Sequence, residues 1–135
     1  MTAPRFINPE QLGASKGYNN GVVMTPPSGG SMLFVAGQIG GDKHRPVVGD
    51  RLADQFDQAL ANVLAVVEAA GGTPESIGKL TIFVTSVDEY IAAREEIGRR
   101  YRARMGRHFP AMTLVEVRRL VEPRAKVEIE GLAYV

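Results

Sequence analysis

Cysteine is absent from the sequence. That excludes disulfides, a catalytic thiol, zinc–thiolate sites and iron–sulfur clusters. Histidine is nearly absent, with only His44 and His108. His44 is flanked by Lys43 and Arg45, and His108 precedes Phe109-Pro110. Neither has a carboxylate or a second histidine at ligand spacing, so neither a metal site nor a cofactor is expected. No nucleophile-elbow motif appears, and the glycines around positions 29–41 lack the strand–loop–helix context and lysine of a phosphate loop. No window approaches 18 uninterrupted apolar residues, so no membrane span is expected. The opening MTAPRFINPEQLG has no basic patch followed by an apolar run, and the expected location is cytoplasmic. Charge of one sign is also lacking: 16 Lys+Arg face 15 Asp+Glu, too balanced to point to nucleic acid.

What is present fits one globular domain over residues 1–135, with 44% hydrophobic and 23% charged residues. There are no repeats, low-complexity tracts or linkers. The first dozen residues read as an irregular arm. Runs of β-branched and aromatic residues predict strands at 18–25 (YNNGVVMT) and 32–37 (MLFVAG), separated by the turn signal PPSGG. From Asp50 the period changes. Leu52, Phe56, Leu60, Val63 or Leu64, and Val67 share one helical face, with Asp50 as N-cap and Gly71-Gly72 as the stop.

A strand at 79–85 (KLTIFVT) follows, with Leu80, Ile82 and Val84 on one side. Ser86 and Glu89 form a capping-box pattern, so a second helix is expected from about Val87 to Met105, stopped by Gly106. Tyr90, Ala93, Arg94, Ile97 and Tyr101 mark its inner face. Strands at 111–117 and 126–135 complete the order β-β-α-β-α-β-β, an α+β pattern. Two helices cover only one face of such a sheet. Parity places Met112, Leu114 and Leu132 beside Glu128 and Glu130 on the other face. A half-apolar uncovered face predicts self-association.

Glu128 and Glu130 alternate with Val127 and Ile129, so both carboxylates share a sheet face. A partly buried glutamate can activate water as a general base, or it can pair with an arginine across a subunit contact. The second helix and its exit carry Arg94, Arg99, Arg100, Arg102, Arg104 and Arg107, with Asp88, Glu89, Glu95 and Glu96 toward its start. This is the polarity a helix dipole favours and reads as a solvated helix.

The stretches LFVAGQIG, DQFDQALANVLAVVEAAGG, KLTIFVTSVDEY, HFPAMTLVEV and KVEIEGLA resemble, in order and spacing, the Rid (reactive intermediate deaminase, YjgF-like) family over residues 13–134. The resemblance implies a chorismate-mutase-like fold and a homotrimer with small-molecule clefts between subunits. It also implies hydrolysis of reactive enamines and imines to keto acids and ammonia. Carried over by motif, the family's cleft residues fall on Tyr18, Gly37, Asp88, Met112 and Glu128, with Ala36 in place of a serine. Glu128 is then the residue that positions water and Tyr18 a hydrogen-bonding partner of the substrate.

Met112 departs from the pattern. The family has an arginine there, which grips the substrate carboxylate through two parallel hydrogen bonds. Losing such a desolvated partner costs roughly 3–5 kcal/mol. This chain then falls in a subgroup lacking that arginine, where Met112 and nearby Leu114 favour a neutral or partly hydrophobic ligand. Met112 fits equally as strand filler at a subunit contact. The leading expectation is an imine or enamine hydrolase with a non-standard substrate. The alternative is a non-catalytic module that binds or senses a small molecule on the same trimer. Endoribonuclease action ranks last, because no paired-histidine acid–base set or basic surface supports it.

Overall fold

The computed structural model describes residues 3–10, 14, 19 and 21–135. Its elements are β1 (Arg5–Ile7), β2 (Gly21–Val23), β3 (Met32–Ile39), α1 (Leu52–Ala69), β4 (Ile77–Val84), α2 (Val87–Met105), β5 (Ala111–Glu116) and β6 (Val127–Tyr134). A short 3-10 turn at Pro74–Ser76 precedes β4. The main sheet has the order β3-β6-β4-β5, antiparallel except where α2 crosses over to make β4 and β5 parallel. The α+β architecture matches the sequence pattern, with one addition. Part of the supposed irregular arm is a strand, β1, paired with β2 in a separate two-stranded sheet. Phe6 at its centre stands 5.7 Å from the His108 ring, so the arm has a side chain to pack.

Both helices lie on one face of the main sheet. From α1, Leu52, Phe56, Leu60, Val63, Leu64 and Val67 are buried against Val35, Leu80, Ile82, Val84, Val127 and Ile129. Burial of each such side chain stabilises the fold by about 1.5–3 kcal/mol. The N-cap of α1 is Arg51 rather than Asp50, and no side chain caps it. Asp54 in the first turn supplies the favourable charge instead. Gly71 (φ 89°) and Gly106 (φ 62°) take the left-handed backbone that follows each helix. Ser86 Oγ accepts from the Glu89 N–H at 3.1 Å, capping α2.

The arginines of α2 do more than solvate it. Arg100 reaches Asp54 at 2.9 Å and Arg104 reaches Asp57 at 2.7 Å, tying α2 to α1. A second polar tie is Gln55, which is fully buried in α1. Its amide donates to the carbonyls of Gly49 (2.7 Å) and Arg124 (3.1 Å) and accepts from the Lys126 N–H (2.8 Å). One side chain thus joins the loops before α1 and before β6. No helix among the described residues is long and apolar enough to cross a membrane.

The expected face of β5 is corrected. Met112 pairs with Leu80 and Leu114 with Ile82, so both point toward the helices and pack on the core. Alternation sets parity within a strand, but the register with a neighbour decides which parity faces inward. The uncovered face carries Glu128, Glu130 and Leu132 from β6, Phe83 from β4 and Phe34 from β3. Phe34 is 71% exposed and Leu132, its register partner, 38%.

Candidate functional site

The pairing of β3 with β6 slips once. Val35 faces Gly131 and Gln38 faces Ile129, so β3 spends one extra residue at Ala36-Gly37, a β-bulge. A Cβ on residue 37 would stand 2.0 Å from Glu128 Oε1 and 2.8 Å from its Cδ. Only glycine lets the carboxylate lie against the bulge, for reasons of space alone, because Gly37 does not take a positive φ. Among the described residues, Glu128 has no hydrogen-bonding or ion-pair partner. A half-buried carboxylate without an internal partner is available to accept a proton from, or orient, a water. Gly37 also lines a recess of about 420 Å³ with Gln38, Asp42, Arg45 and Asn62.

Of the other expected site residues, Asp88, Met112 and Leu114 do not line this recess. Asp88 is exposed in the first turn of α2. Tyr18 lies outside the described residues. Its neighbour Asn19 accepts from Asn8 Nδ2 at 2.7 Å and donates to the Phe109 carbonyl, which ties the N-terminal segment to the start of β5. Met112 lines a cavity of about 280 Å³ between α2 and β5, together with Tyr90, Arg94, Ile97, Tyr101 and Phe109. Leu114 packs on the core beside it in sequence. Within one chain, then, Gly37 and Glu128 come together on the open face, while Met112 and Leu114 belong to the helix-covered face.

The cavity beside Met112 has polar groups at its wall. Burial pushes the phenols of Tyr90 and Tyr101 up, the former offset in part by the Arg94 charge, so both stay protonated and able to donate. The Tyr101 hydroxyl is already committed to the His108 carbonyl at 2.9 Å. His108 is buried with Nε2 at 2.7 Å from the Ile77 carbonyl, a structural role. His44 is exposed in a loop where its N–H is bonded to Asp42. Among the described residues no three of His, Cys, Asp and Glu gather as metal ligands would. Arg94 and Arg102 at this cavity were not among the expected site residues. The helical period put Arg94 on the inner face of α2; in the structure it is exposed at the rim of the cavity, while Tyr90, Ala93 and Ile97 of that face pack on the core.

These features define a small α+β domain with two helices on one face of a mixed sheet and a glutamate held at a glycine bulge on the other. Residues 9–135 match the family model described as Endoribonuclease L-PSP. The chain belongs to this family, the Rid or YjgF-like proteins. A 2-iminobutanoate/2-iminopropanoate deaminase of Salmonella typhimurium is 37% identical over 107 residues, covering 77% of this chain and 80% of the relative. The crystal structure of YyfB, a Rid-family protein of Yersinia pestis, superposes with TM-score 0.83 at 29% identity, covering 99% of this chain and 100% of that one. Escherichia coli TdcF with bound serine gives TM-score 0.67 at 31% identity over 90% of each chain.

Proposed function

We propose that this chain hydrolyses a reactive imine or enamine to a carbonyl compound and ammonia, in clefts between subunits of a cytoplasmic homotrimer. The observation that carries the reading is the Glu128 carboxylate, unpartnered among the described residues and seated against Gly37. As water attacks the imine carbon, Glu128 takes a proton from it. The C–O bond forms and the C=N π electrons pass to nitrogen. Glu128 returns that proton to nitrogen, giving the neutral carbinolamine. In its collapse the hydroxyl proton passes through Glu128 to nitrogen, the oxygen lone pair forms C=O, the C–N bond breaks and ammonia leaves. The deaminase name of the Salmonella relative supports the same chemistry.

The composite nature of the cleft has support in the sheet. Glu128 and Met112 lie on opposite faces of one chain, so a single small ligand meets both only if they come from different copies. The exposed Phe34 and Leu132 offer the apolar surface such an assembly buries. Glu128→Gln keeps the shape of the side chain but not its basicity. It is expected to lower imine turnover by about a hundredfold or more. Unchanged turnover of every imine tested sinks the reading.

A binding module without catalysis is the second reading, favoured by Met112, whose thioether cannot grip a carboxylate as an arginine does. Ligand binding with no turnover in either wild type or Met112→Arg would select it.

A further inference from the structure

Helix α2 contains five arginines: 94, 99, 100, 102 and 104. Three are neutralised by carboxylates, Arg99 by Glu95, Arg100 by Asp54, and Arg104 by Asp57. Arg94 and Arg102 have no ion pair among the described residues, and these two are the arginines that line the cavity beside Met112. Positions 94, 98 and 102 are four apart and form one stripe along the helix. Between the two guanidinium-bearing positions stands Gly98, also on the cavity. A glycine inside a helix costs about 1 kcal/mol relative to alanine. Packing does not demand it here, because a Cβ would meet only Arg102 Nη1, the mobile end of a side chain, at 3.3 Å. What Gly98 does is keep the wall between the two cations open. The floor is apolar, from Met112 and Phe109.

We propose that this groove between α2 and β5 binds an organic monocarboxylate with a bulky apolar body, its carboxylate held by Arg94 and Arg102 and its body resting on Met112 and Phe109. The charge that β5 lacks at Met112 is supplied by the facing helix. Joined to the hydrolase reading above, on which this step rests, the groove selects imino acids with large apolar side chains over the smallest ones. Methionine in the floor suits such a body, since it is unbranched and adapts its shape.

The test is calorimetric titration of the full-length protein with phenylpyruvate, a keto acid of the expected product type, beside pyruvate and the uncharged 4-phenyl-2-butanone. Phenylpyruvate is expected to bind more than tenfold tighter than either. Arg94→Gln and Arg102→Gln are each expected to weaken it by about tenfold or more, with unchanged melting temperature and no effect on the uncharged ketone. Absence of phenylpyruvate binding, or binding unaltered in the double variant, overturns the proposal. Turnover assays separate it from the hydrolase reading. Binding that depends on the arginines while wild type hydrolyses no imine leaves the groove standing and removes the enzyme. Imine turnover whose KM is indifferent to both arginines keeps the enzyme and removes the groove as its anchor.

Discussion

Glu128 Oε1 occupies the space a Cβ on Gly37 would need, 2.0 Å from it. The three nearest atoms to that position all belong to Glu128, so the conflict is with this one side chain. In Gly37→Ala the carboxylate can rotate away, at a cost of about 0.5–1.5 kcal/mol for leaving its preferred rotamer. Stability should therefore change little while imine turnover falls about as far as in Glu128→Gln. Thermal melts and turnover measured side by side check this. A Gly37→Ala protein of wild-type activity would show that the carboxylate's seat is irrelevant.

Gln55 is expected to matter to folding rather than to chemistry. It is fully buried and satisfies groups on two loops with three hydrogen bonds. Gln55→Leu leaves two carbonyls and one N–H without their partner, at about 1–3 kcal/mol for each buried group left unsatisfied. Urea denaturation should show a loss of at least about 2 kcal/mol, less than the simple sum because water reaches the loops. A midpoint within error of wild type refutes the structural role.

Assembly should depend on the open face of the sheet. Phe34→Asp puts a charge where Phe34 and Leu132 stand side by side. Buried at a subunit contact that charge is costly, but on a free surface it is nearly neutral. Sedimentation velocity at micromolar concentration is expected to show a trimer for wild type and smaller species for the variant. Equal sedimentation of the two proteins would move the contact elsewhere, and a wild-type monomer would remove the trimer altogether.

The tie between helices should weaken in acid. The Arg104 hydrogen bond, followed by the charges of Arg104 and Arg100, holds the Asp57 carboxyl below its usual value near 3.8. A depressed folded-state pKa means stability that is present above the unfolded pKa and lost as pH falls through the folded one. Asp57→Asn should therefore cost up to about 1 kcal/mol at neutral pH, the range of an exposed pair. The difference from wild type should shrink below pH 4. Paired denaturation curves at neutral and acid pH test it, and a difference that grows on acidification contradicts the sign.

Local patterns determined much of this protein by themselves. The three- and four-residue spacing from Leu52 to Val67, the cap at Ser86, the stops at Gly71 and Gly106, and the alternation of Leu80, Ile82 and Val84 all reappear in the structure. They are legible because helix and strand periods act between residues close in the chain. The same is true of the parity of Glu128 and Glu130, and the family motifs follow the chain in order.

What only the tertiary structure decided is which distant pieces meet. Alternation in β5 is the same whichever face turns inward, and the parallel register with Leu80 and Ile82 turned Met112 and Leu114 to the helices. The bulge that seats Glu128 at Gly37 is a mismatch between two strands about ninety residues apart, which neither strand encodes alone. Arg94 and Arg102 are two of five similar residues until Asp54, Asp57 and Glu95 claim the other three. Two of those pairings reach across to α1, and together they leave Arg94 and Arg102 as the arginines of α2 without an ion pair among the described residues, beside a methionine.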